Sequence, residues 1–88
     1  MNDENIKVLR QERRGINEYF LVRICFSGFE YFCVLIKNDD DDVFEPLGKD
    51  LIEAEEVFEK LMNNEVSPEH LYDILNDIRC DIEKEFFV

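Results

Sequence analysis

Ser27-Gly28 separates two runs, residues 19–26 and 29–37, that are rich in Phe, Tyr, Val, Ile and Leu. A two-residue connection between such runs specifies a tight antiparallel hairpin, and the loop length sets the register. Phe26 then faces Phe29, Ile24 faces Tyr31, Val22 faces Cys33 and Phe20 faces Leu35, so one side of the hairpin is wholly apolar. The other side carries Tyr19, Leu21, Arg23 and Cys25 beside Glu30, Phe32, Val34 and Ile36, a mixed set still more apolar than most solvated faces. The same parity puts Cys25 and Cys33 on opposite sides, where they cannot pair. Residues 6–13 are expected to add a third strand through a turn around Arg14-Gly15. Residues 43–48 read as a short edge strand, because Pro46 cannot donate to a central ladder.

The periodicity changes after Gly48. Leu51, Ala54, Val57, Phe58, Leu61 and Met62 fall on one arc of a helical wheel, and Asp50 stands three residues before Glu53 as a helix-start signal. This predicts a helix over about 50–64. Ser67 is placed to cap a second helix, with Pro68 at its first position and Glu69 at the positive end of its dipole. Leu71, Ile74, Leu75, Ile78 and Ile82 continue it as an apolar stripe over about 67–84. The expected fold is α+β: an antiparallel three- to four-stranded meander over about 5–47, then two amphipathic helices on one sheet face, as a single domain spanning 1–88. The wholly apolar side is expected to receive the helices. Leu21, Phe32, Val34 and Ile36 are then left to be covered by the N-terminal segment, by Phe86-Phe87 or by another chain, which makes them the candidate self-association surface of a homodimer.

Residues 55–77 contain Ser67-Pro68-Glu69-His70-Leu71-Tyr72-Asp73. This stretch resembles the C-terminal half of an uncharacterised family of small bacterial α+β domains, in which a helix starts with Ser-Pro-x-His-Leu-x-Asp. The resemblance implies an upstream hairpin and a helix pair, and no chemistry. The run Asp39 to Asp42 departs from the family pattern, where a shorter connection is expected.

Charge narrows the function classes. The 88 residues hold 22 acids against 10 bases, a formal charge of −12, with 45% hydrophobic residues. Such a chain is too apolar for a solvated disordered tail. The excess is local: residues 1–37 hold five acids and six bases, whereas residues 38–88 hold 17 acids and four bases. Glu69, Asp73, Asp77 and Asp81 recur every fourth residue, which on a helix makes a column of carboxylates about 6 Å apart. Like charges at that spacing cost an isolated helix about 0.2–0.5 kcal/mol per pair. With Asp39, Asp40, Asp41 and Asp42 they form the candidate partner-binding face, and the expected partner is a protein with a basic surface. Direct nucleic-acid binding and attachment to anionic membrane are disfavoured. A second reading takes the carboxylate row as a stand-in for a phosphate backbone. The chain would then be a nucleic-acid mimic that inhibits a DNA- or RNA-handling enzyme, as phage anti-defence proteins do.

Nothing in the sequence points to a reaction. His70 is the single histidine, with only Ser67 and Asp73 in reach by spacing, and is expected to pack at the helix–turn corner or help cap it. The aspartate run lacks the alternate ligand spacing and the glycine of a calcium loop. Cys25, Cys33 and Cys80 form neither an even disulfide set nor a Cys-x-x-Cys pair, and read as reduced thiols. The expectation is a non-enzymatic domain without cofactor or metal. No apolar segment follows a basic start, and the longest nearly uncharged run is about a dozen residues where a membrane helix needs roughly 20. A cytoplasmic location is expected.

Overall fold

The computed structural model describes residues 5–77. Strands β1 (Asn5–Arg14), β2 (Asn17–Phe26), β3 (Phe29–Lys37) and β4 (Asp42–Gly48) form one antiparallel sheet in the order β1-β2-β3-β4. Helix α1 (Leu51–Asn63) follows, then a 3₁₀ turn (Pro68–His70) that runs into a helix, α2, described over 71–77. This is the α+β meander with helices expected from the sequence. The β2–β3 register is the one the hairpin specifies, from Phe26 opposite Phe29 to Phe20 opposite Leu35. Ser27 and Gly28 both take positive φ, +48° and +82°, the geometry that matches a hairpin turn to the twist of its strands. In β1, Val8 pairs with Val22 and Arg10 with Leu21, so Leu9 is an extra residue in a bulge and packs on the helix side.

The helices cover the opposite sheet face from the one expected. Tyr19, Leu21, Phe32, Val34 and Ile36 are buried against Ala54, Val57, Phe58, Leu61 and Met62 of α1, with Val66, Leu71 and Leu75. Leu21, Phe32, Val34 and Ile36 are each at most 2% exposed, so they are core and cannot form a self-association surface. A physical reason is that two polar groups of this face, the Tyr19 hydroxyl and Arg10, find partners on the helical layer, although the buried Nε of Arg23 has none among the described residues. The Tyr19 hydroxyl donates to the Val66 carbonyl at 2.8 Å. At the sheet edge the Arg10 guanidinium stands over the Phe58 ring at 5.1 Å and pairs with Glu12 and Glu59. Partial burial opposes the charge on Arg10, but the hydrogen bonds it donates to the Glu12 and Glu59 carboxylates, with their negative charge, outweigh it and raise its pKa.

Helix α1 begins as its sequence signals. The Asp50 carboxylate accepts from the Ile52 amide at 2.9 Å and the Glu53 amide at 3.4 Å. Of the predicted stripe only Leu51 stays exposed. The second helix starts differently. Ser67 precedes a 3₁₀ turn and its side chain caps no amide, although Pro68 occupies the first position and is buried. The chain reaches this turn through Glu65 at φ +51°. The expected continuation of α2 to residue 84, the tail Phe86-Phe87-Val88, Cys80 and Asp81 lie outside the described residues.

Candidate acidic binding site

The Asp39–Asp42 loop is held by one asparagine. The Asn38 carboxamide oxygen accepts from the amides of Asp40 and Asp41, each at 2.9 Å, as an Asx turn does. The Asn38 amide donates back to the Asp41 carbonyl at 2.9 Å, and the Asp42 amide donates to the Asp41 carboxylate at 2.9 Å. The Asn38 side-chain nitrogen donates to Asn17 at 3.0 Å, tying the loop to the start of β2. With these amides bonded within the loop, all four aspartates stand exposed to solvent.

The fold brings this loop to the 3₁₀ turn. Asp40, Asp41 and Glu69 share a cleft of about 310 Å³ with Ile16, Asn38, Ser67 and Pro68. Asp73 and Asp77 are exposed on α2, where the four-residue spacing holds; Glu69 sits in the tighter 3₁₀ turn, outside that helical column. Residues 38–77 hold 14 acids and two bases. Among the described residues, Glu59 beside Arg10 and Glu69 beside His70 are the ones within ion-pair distance of a basic side chain. Apart from half-buried Glu45, the other acids of this stretch are exposed. Asn38, Ile16 and Pro68 were not singled out as site residues in the sequence; of the three, only Asn38, at the head of an aspartate turn, carries a local signal.

The remaining candidates fall elsewhere. The His70 side chain is 67% exposed, 4.0 Å from Glu69, and so does not pack into the helix–turn corner. It borders a shallow apolar groove with Asn64, Glu65, Val66, Ser67 and Ile74. Cys33 is buried on the sheet face away from the helices, where burial, and secondarily Glu45, push its thiol pKa up. Cys25 is half-buried at the other end of the parity, 4.0 Å from Glu30. Among the described residues no three His, Cys, Asp or Glu side chains are grouped to hold a metal ion. No helix there is long and apolar enough to cross a membrane.

Fold and site together define a small α+β domain with an acidic cleft at one end of its sheet. No family model, curated protein or solved structure matches the chain.

Proposed function

We propose that the chain is a non-catalytic binding module that engages a basic protein through the Asp39–Asp42 loop and the exposed carboxylates Glu69, Asp73 and Asp77. The observation that carries this reading is the convergence of Asp40, Asp41 and Glu69, from two separate elements, on one cleft whose other walls include Ile16 and Pro68. A lysine or arginine side chain matches that combination: its methylene stem lies on apolar surface while its charged head meets carboxylates. Unpaired negative charge around the cleft speeds encounter with any basic surface.

The test is capture from a host lysate on immobilised chain, comparing wild type with a variant carrying Asp39→Asn, Asp40→Asn, Asp41→Asn and Glu69→Gln. A set of basic proteins held by wild type, eluted by salt and lost from the variant supports the proposal. The same proteins retained by the variant would sink it. Duplex DNA or RNA added as competitor separates the narrower reading, since a nucleic-acid mimic is displaced from its target by the nucleic acid it imitates and a general basic-surface binder is not.

A further inference from the structure

The sheet face away from the helices is apolar and has no layer on it among the described residues. Ile6 and Phe29 are 65% exposed, Val8 50%, Phe26 and Phe44 49%. At roughly 200 Å² for each large side chain, these five alone expose about 500 Å² of apolar surface, at the upper end for a whole monomer. Between them Val22, Ile24 and Cys33 are already shielded by Phe20 and Tyr31, so the surface is continuous. Adding the half-buried neighbours and the polar rim brings it toward the roughly 800 Å² per partner of a standard protein interface.

We infer that this face binds a second copy of the chain, sheet against sheet, about a two-fold axis parallel to the strands and over the β2–β3 seam. Charge complementarity selects this occupant. At one end of the face the ladder aligns Arg13, Glu18, Lys37 and Asp42 across β1 to β4, a row that alternates in sign. The hydrogen bond of Gln11 to Glu18 and the position of Lys37 over the Phe20 ring, 5.4 Å away, place these side chains on the open side. The stated two-fold lays β1 over β4 of the other copy and β2 over its β3. Arg13 then meets Asp42, and Glu18 meets Lys37, each contact occurring twice as a two-fold interface requires. Along the seam the same operation sets Phe20 over Leu35, Ile24 over Tyr31 and Phe26 over Phe29, apolar on apolar, with Gln11 over Phe44 at the flank. A pair of sheets packs this way about 10 Å apart with a rotation near 30°, which long charged side chains span. The 14 acids of residues 38–77 lie mainly in the helical layer and the loop, so little of that charge faces the partner copy.

Sedimentation of the full chain tests this. The wild type is expected to be a dimer at high micromolar concentration that dissociates on dilution. Phe29→Lys and Phe44→Lys, both at exposed positions, should each weaken the dimer about tenfold or more while circular dichroism shows the fold intact. Arg13→Asp sets two like-charged contacts in each dimer and should weaken it about threefold or more; adding Asp42→Arg restores the pairing and most of the affinity. A wild type that stays monomeric at high micromolar concentration overturns the inference and leaves the face to a different protein or to the rest of this chain. So does a dimer indifferent to Phe29→Lys and Phe44→Lys, or an Arg13→Asp, Asp42→Arg chain no tighter than its single variants.

Discussion

Replacing Tyr19 by Phe tests which sheet face carries the helical layer. The ring is fully buried and its hydroxyl donates to the Val66 carbonyl at 2.8 Å, so the change keeps the packing and removes one bond between β2 and the α1–α2 corner. A net hydrogen bond is worth about 1 kcal/mol, and a buried carbonyl left without its donor costs about 1–3 kcal/mol. A loss of about 1–3 kcal/mol follows, and at 4–8 °C per kcal/mol for a domain of this size the melting temperature should drop by about 4–24 °C. The alkaline limb supplies a second, independent readout. Desolvation by burial raises the Tyr19 pKa above its ordinary 10.0, overriding the opposite effect of Asn17. Below pH 10 the phenol is protonated in both folded and unfolded chains and its contribution is complete. Above pH 10 the unfolded chain releases a proton that the folded chain keeps, so stability falls by up to about 1.4 kcal/mol per pH unit until the folded pKa is passed. Buried Cys33 adds a slope of the same sign from its own ordinary 9.0, which makes the difference between wild type and Tyr19→Phe the informative quantity. Thermal unfolding at pH 7 and across pH 9–11 measures both. Equal melting temperatures at pH 7 with superimposable alkaline limbs would refute the reasoning, because a Tyr19 facing solvent makes no such contribution.

Three further outcomes follow from the same packing. Leu21→Ala, in the core beneath α1, should cost about 2–5 kcal/mol in denaturant unfolding, whereas Phe44→Ala on the open face should cost under about 1 kcal/mol in the monomer. Asp50→Ala removes the acceptor of the Ile52 and Glu53 amides and should lower stability by about 1 kcal/mol, with Asp50→Ser recovering most of it. Under native conditions iodoacetamide should modify half-buried Cys25 well before Cys33, read by peptide mass mapping, and denaturant should abolish the difference.

The hairpin register was legible to the residue because a two-residue loop leaves the pairing no freedom, and Gly28 with Ser27 accepts the positive φ it demands. The choice of face was not legible. Both sides of β2–β3 are rich in apolar residues, and counting them favours the side with Phe20, Val22, Ile24 and Phe26. What distinguishes the two sides is where polar groups go: the Tyr19 hydroxyl bonds the Val66 carbonyl, and Arg10 adds Glu59 of α1 to its own-strand partner Glu12, reaching that side because the Leu9 bulge resets the parity of β1. A bulge leaves no fixed mark in the sequence. The acidic cleft was half legible. Each acidic run could be named from composition, but Asp40 and Glu69 stand far apart in the chain, and only the return of the chain to the sheet end beside Ile16 unites them.

The two surfaces are coupled through geometry. The Asp39–Asp42 loop joins β3 to β4 at the sheet end that carries the Arg13–Asp42 row. In the proposed dimer a two-fold axis along the strands would set both acidic loops at the same end, side by side, and would offer two clefts to one basic partner, for which the second contact would be intramolecular. The same closeness has a cost. Two chains of −12 repel over a range set by the Debye length, about 30 Å at 0.01 M salt and about 8 Å at 0.15 M. Four complementary pairs at the solvent-exposed rim contribute at most about 1 kcal/mol each and weaken in the same salt. At low salt the repulsion between the two net charges exceeds the attraction of those pairs. Raising ionic strength between those limits should therefore tighten the dimer in sedimentation equilibrium while weakening capture of basic proteins by the clefts. A dimer that loosens steadily over that range would mean that the alternating row, and not the net charge, dominates the electrostatics of association.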